Sequence, residues 1–316
     1  MTKIILSTTA QILVIFSYIL IGFVLRRLAL LPQSSGKTLS VLETTVFLPA
    51  MIFTNLFSHI RVSTIVSHAA TLGFGFLFLL FVLFVSFLFA KLLSKKGERR
   101  ERNTLIYIFA FSNYAYFGYP LLRNVFGETM LAETVLFAVP FTITIFTLGT
   151  YLLTGESGKR GSRFSVSGKM LPVLAAVFFG ILFGLLDIKL PSVVTTGISD
   201  LSKCMCPVSM ILTGYVLASY RIKELFRSAR AYLIAAIRVI LFPLLTAGLL
   251  WLIGLRGSAF VIPVFITSMP VGMNVVIFSE ANGKNSSAEA RICFISYLIS
   301  LITIPIIFGI LQGSVS

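Results

Sequence analysis

Charge is the scarcest commodity in this chain. Of its 316 residues only 12% are Asp, Glu, Lys or Arg, about half the share a soluble protein of this size carries. No water-facing surface can be built from such material, which excludes a soluble globular protein. Histidine occurs twice and cysteine three times. Cys204, Cys206 and Cys293 are too few for a disulfide framework. The Cys204-x-Cys206 pair has no Asp, Glu or His cluster beside it, so the thiols read as small packing residues and not as metal ligands. No HExxH, GxSxG or paired-aspartate metal motif is present, which argues against an enzyme, and nothing in the chain calls for a cofactor. A P-loop is lacking as well, which argues against an ATP-driven pump.

What the chain has in abundance is apolar sequence: 57% of residues are hydrophobic and the mean hydropathy is +0.98. The apolar runs predict ten helices of roughly the ~20 residues a bilayer requires. They fall at 4–28, 38–58, 64–93, 103–126, 129–154, 170–187, 192–219, 230–254, 258–281 and 287–312, and are called spans 1 to 10 below. Arg26 and Arg27 follow the first run where a signal peptide would show small residues, so it is read as a retained span. The net charge of +15 lies in short loops without a basic helix or interleaved aromatics, which disfavours a nucleic-acid partner. Loops after the odd-numbered spans hold 19 of the 26 Lys and Arg, against 6 at the N-terminus and after the even-numbered spans. By the positive-inside rule both termini face outward across the plasma (bacterial cytoplasmic) membrane. The polar stretch 155–169, rich in glycine and serine, is then a cytoplasmic seam between five-helix halves at 1–154 and 170–316.

Two spans carry residues that a membrane helix ordinarily avoids. Span 4 holds Ser112, Asn113, Gly118 and Pro120; span 9 holds Pro270, Gly272, Met273 and Asn274. Proline removes a backbone donor and clashes with the preceding turn, and unwound backbone at that depth is tolerated only inside protein or beside a polar cavity. Interrupted helices in corresponding positions of two halves point to a secondary transporter with its site where they meet. A faint repeat agrees. Pro49 and Pro207 lie 158 residues apart, the same offset carries Pro270 onto Ser112, and Pro32 and Pro191 differ by 159. With five spans per half, such a repeat is inverted. A blander reading stays open, in which proline and glycine kink packed helices and asparagine joins neighbours.

The run Asn113-x4-Gly118-x-Pro120-Leu121-Leu122 resembles the first crossover helix of the auxin efflux carrier family. Met269-Pro270-x-Gly272, followed by Val275 to Phe278, resembles its second. Gly36 with Phe47-Leu48-Pro49-Ala50, Ile198-Ser199-Asp200-Leu201-Ser202, Arg238 with Pro243, and Gly254-Leu255-Arg256-Gly257 extend the similarity along nearly the whole chain. The resemblance implies an all-α polytopic membrane protein of the sodium/proton-antiporter and bile-acid-transporter architecture. It implies a scaffold of spans 1, 2, 6 and 7, through which the protein dimerises, and a transport group of spans 3–5 and 8–10, with spans 4 and 9 crossing. Its substrates are organic anions. The chain departs from plant members in three ways: Ser112 stands where they have proline, their long central loop is absent, and no acidic residue lies between Thr64 and Ala90. A bacterial member fits these departures, and ion coupling is left open.

Read from the residues alone, a broken helix offers N–H groups at the start of one half, a receptor for a carboxylate, and Asn113 and Asn274 add amides without a buried charge. Arg238 lies inside span 8; it either draws an anion inward, pairs with an acid, or snorkels to the headgroups. Glu43, Asp200 and Glu280 are placed near helix ends, at the interface. His59 and His68 are placed in a solvated outer loop, and the phenylalanines of span 3 against lipid or packed helices. The expected function is elevator-type secondary transport of a small organic anion. A sodium- or proton-coupled symporter of the bile-acid type and a non-transporting ligand sensor are the alternatives.

Overall fold

The computed structural model describes residues 2–62, 69–154, 171–276 and 286–313. Among these, every regular element is helical. The expected seam 155–169, His68 and Glu280 lie outside the described residues.

α1 (Thr2–Arg27) packs along α10 (Ser192–Leu217), and α3 (Leu48–His59) packs along α9 (Leu171–Leu185). α2 (Ser35–Leu42) runs into α3 through a widened π-helical turn at Glu43–Phe47. α4 (Ala69–Leu93) lies against α5 (Arg99–Ala110), α6 (Tyr119–Phe137) and α7 (Val139–Thr144). α7 continues through a second widened turn, Ile145–Gly149, into α8 (Thr150–Thr154). After the short α11 (Ile222–Leu225), α12 (Ala229–Ala236) joins α13 (Phe242–Leu252) through a third, Ile237–Leu241. α14 (Ser258–Ser268) and the long α15 (Ser287–Gln312) complete the fold. A fourth widened turn, Tyr114–Gly118, leads into α6.

Among the described residues, five helices are long and apolar enough to cross a membrane, six if the bent pair Tyr114–Phe137 and Val139–Leu153 counts as one. Of the other expected spans, 170–187 and 258–281 give shorter helices, and 192–219 gives the unbroken but less apolar α10. The expected helix 103–126 begins at Arg99 and stops at Ala110, and the expected 258–281 stops at Ser268. Between spans 4 and 5 the reversal occurs at Gly127, whose φ of 83° suits a residue without Cβ.

Three of the four widened turns end two residues before a proline: Pro49, Pro120 and Pro243. A proline clashes with the carbonyl four residues back, here Thr45, Tyr116 or Val239. Opening the turn that holds this carbonyl relieves the clash without ending the helix.

Close backbone approach is set by glycine. A Cβ on Gly22 would lie 1.9 Å from the Ile211 carbonyl oxygen, and one on Gly214 would lie 1.8 Å from that of Ile19. α1 and α10 therefore touch backbone to backbone. Gly184 does the same for α9 against Ile60 of the α3 end, at 2.3 Å. Such small-residue contacts let membrane helices gain dispersion energy where no hydrophobic drive exists. The phenylalanine-rich α4 divides its rings as expected: Phe76, Phe84 and Phe87 point outward, while Phe78 packs on Phe137 and Phe141.

Candidate functional site

The helical ladder breaks twice, at Phe111–Asn113 after α5 and at Met269–Gly272 after α14. Phe111 and Met269 are both extended. The first break falls ahead of Gly118 and Pro120, because the widened turn at Tyr114–Gly118 absorbs the proline. The two breaks meet. Ser112 and Val271 form an isolated antiparallel bridge, the Asn113 N–H donates to the Pro270 carbonyl at 2.8 Å, and the Gly272 N–H points at the Phe111 carbonyl at 3.5 Å. Backbone groups orphaned by one break are thus partly satisfied by the other.

The carbonyl end of α14 is closed by side chains. Its last turn leaves carbonyls without helical partners. Ser268 Oγ donates to the Phe265 oxygen at 2.8 Å, Ser112 Oγ to that of Ile266 at 2.6 Å, and Arg238 Nη1 to that of Thr267. Arg238 is 1% exposed and its guanidinium lies over the Phe242 ring, so it does not snorkel. Its charge complements the negative end of the α14 dipole.

The last helix braces both breaks. Ser296 Oγ accepts the Val271 N–H at 3.1 Å, and the Tyr297 hydroxyl accepts from Asn113 Nδ2. Tyr297 is itself 1% exposed. The Asn274 amide lies within hydrogen-bond reach of the phenols of Tyr107 and Tyr116. Tyr107, Tyr116, Ser296 and Tyr297 were not among the residues singled out in the sequence. The available signal was the polar set Ser296, Tyr297 and Ser300 at helical spacing in an otherwise apolar helix.

A cleft opens between the paired breaks and α3. Of the residues expected at the site, Ser112, Asn113, Gly272 and Asn274 line it. Gly118, Pro120, Pro270 and Met273 lie behind it. Gly118 has a packing reason for its identity, since a Cβ there would come within 2.7 Å of the Phe265 ring and 3.0 Å of Met269 Sδ. Tyr114, Ala115 and Tyr116 also line the cleft. They are the first residues of a helical segment, and their N–H groups precede its hydrogen-bond ladder. The opposite wall is Leu48, Met51, Ile52, Asn55 and Leu56. No carboxylate or ammonium is part of either wall, and no cluster of metal-ligating side chains occurs among the described residues. Arg238 is not part of the lining.

Glu43 requires a correction. Placed at the interface by its position in the sequence, it is 1% exposed, enclosed where the widened turn before α3 meets α10. Ser209 donates to its Oε1 at 2.8 Å. Asp200 is at the surface, paired with Lys203 at 2.8 Å. His59 sits at the end of α3, its Nδ1 2.8 Å from the Asn55 carbonyl.

Apolar helices that unwind and pair at a largely apolar cleft bearing a few amides and hydroxyls define a helical membrane protein built around broken spans. The family is shown by comparison. Residues 7–170 and 161–308 match the family described as membrane transport protein, and the chain belongs to it, the family of the auxin efflux carriers. Similar proteins include an uncharacterised transporter of Methanothermobacter thermautotrophicus, 26% identical over 95% of this chain and 97% of the relative. Another, from Methanocaldococcus jannaschii, is 23% identical over 93% of this chain and 96% of the relative.

Proposed function

We propose that this membrane transport protein is a secondary carrier of a small organic anion, a carboxylate or dicarboxylate, bound where the two breaks meet. One observation carries the reading: the carbonyl end of α14 is capped by Ser268, Ser112 and Arg238, while the amide end at Tyr114–Tyr116 faces the cleft. A site with covered acceptors and open donors favours an anion over a cation. Asn113 and Asn274 add amides, and the Arg238 charge behind the crossing raises the local potential without occupying the cleft.

The carrier has ten spans in two inverted halves, 1–154 and 170–316, joined by a cytoplasmic segment at 155–169, with both termini outside. Support comes from the bridge between Ser112 and Val271, near-equivalent positions under the 158-residue offset. A scaffold of α1–α3, α9 and α10 stays fixed, by homodimerisation through its outer face, while the rest moves. The glycine contacts favour this division. Gly22, Gly36, Gly180, Gly184 and Gly214 meet scaffold partners only; Gly75, Gly118, Gly149 and Gly272 meet transport partners only. Interlocked surfaces resist sliding, and among the described residues no such contact joins the two groups.

An inside-negative potential drives an anion outward with ~2.3 kcal/mol per charge per 100 mV. Efflux therefore needs no coupled ion, whereas uptake does. The test is flux of labelled malate and indole-acetate from proteoliposomes. Saturable flux reduced at least tenfold by Asn113→Ala is expected; flux unchanged by Asn113→Ala and Pro270→Ala would overturn the site.

A further inference from the structure

Glu43 is the most deeply buried carboxylate among the described residues, 1% exposed against 8% for Glu289, and no part of the proposed carrier cycle uses it. It lies at the junction of the scaffold with the crossover. Its Oε1 has a single donor, Ser209, and its Oε2 has no partner among the described residues. A carboxylate stripped of water in this way lacks the two or three donors that would replace its hydration. Glu43 opens the widened turn that leads into Leu48 of the cleft wall, and α10, which carries Ser209, packs against both that turn and the Tyr114–Gly118 segment. Tyr116 lines the cleft and Tyr297 holds Asn113. An anion beside Asn113 and an ionised Glu43 are therefore parted by packed protein, with little water to screen the two charges.

The other groups around Glu43 do not offer a compensating charge. α10 brings Ser209 and the thiol of Cys206, while its Asp200 and Lys203 pair with each other at the surface. Farther along α10, the Tyr215 hydroxyl donates to the Pro32 carbonyl. α2 brings Lys37, which is exposed. α3 has only His59 at its far end, and α9 has no titratable side chain.

We infer that Glu43 takes up a proton when an anion binds at the crossover, so that proton and anion load together. An ionised Glu43 and a carboxylate at Asn113 repel, so anion binding favours the proton-bearing form. Linkage makes the effect reciprocal: the proton tightens the anion by the same factor. The proton comes from solvent and forms an O–H bond on Glu43. No other bond changes. A carrier loaded this way binds its substrate more tightly on the acidic side of a membrane. The inference rests on the anion site proposed above.

The experiment is isothermal titration of the purified full chain with malate between pH 6.5 and 9, where malate is fully ionised, in sodium-free buffers of differing ionisation enthalpy. Wild type is expected to take up close to one proton per anion at the upper end of this range, with Kd rising by up to about tenfold per pH unit. Glu43→Gln is expected to bind with no proton uptake and a flat pH profile. Ser209→Ala, which removes the donor that favours the ionised carboxylate, should move the onset of weakening to higher pH. It tests the idea even if Glu43→Gln fails to fold. Proton uptake that persists in Glu43→Gln, a flat profile in wild type, or an onset unmoved by Ser209→Ala overturns the inference and leaves the anion site standing. Failure of malate and indole-acetate alike to bind at every pH overturns both.

Discussion

Asn113 is useful to an anion only if its amide is held, and the hydroxyl of Tyr297 does the holding. A neutral hydrogen bond of this kind contributes about 0.5–1.5 kcal/mol. Tyr297→Phe is therefore expected to weaken carboxylate binding by roughly three- to tenfold. The ring still packs on Phe117, but the buried Asn113 amide loses its acceptor, so the melting temperature should fall modestly. Titration of both variants separates Tyr297→Phe from Asn113→Ala, which should lose more. Asn113 was legible in the sequence because an amide in an apolar span needs a reason. Tyr297 was not, because a tyrosine is unremarkable in a membrane helix and its partner lies 184 positions away. Glu43 was misplaced for a different cause. The helix begins at Ser35, ahead of the expected span 38–58, which sets Glu43 two turns deep and not at an end.

At the scale of single elements, the α14 terminus depends on Arg238. Removing its guanidinium leaves the Thr267 carbonyl buried without a donor, at a cost of about 1–3 kcal/mol. Arg238→Met should lower the melting temperature in detergent, and Arg238→Lys should restore part of the loss. If Arg238→Met melts like wild type, the capping role is wrong. Helix contacts give a sharper contrast. Gly214→Leu forces α1 and α10 apart, because its first carbon already collides with the Ile19 carbonyl, and folded protein should be lost on size-exclusion chromatography. Gly248→Leu on α13 meets nothing within 4 Å and should be tolerated. Hydropathy located these helices but not their interruptions. Pro120 predicts a break by local sterics, yet a widened turn accommodates it, and the ladder parts at Phe111–Asn113, where the second break supplies backbone partners.

For the whole molecule, the proposed cycle requires the crossover to slide past α3. Met51 and Ala115 line the cleft, one on the wall of α3 and the other on the crossover wall. With the native cysteines replaced by serine, Met51→Cys with Ala115→Cys joined by a flexible bis-maleimide should stop flux while binding survives. Each single cysteine treated alike should transport normally. Flux through the cross-linked protein would contradict sliding. That the chain is not a soluble domain was readable from charge scarcity, since 12% charged residues cannot cover one, and its helical character from the length of the apolar runs. The meeting of Ser112 with Val271 was not readable from local pattern, because it joins segments from the two halves of the chain. The coincidence of two interrupted spans, the offset that carries Pro270 onto Ser112, and the family resemblance hinted at it.

A structure of the protein with a bound carboxylate that gives saturable flux decides whether the crossover holds the anion. Ligand density is expected in the cleft, its carboxylate against the N–H groups at Tyr114–Tyr116 and the amides of Asn113 and Asn274. Density elsewhere, with this cleft empty at saturating ligand, would contradict it.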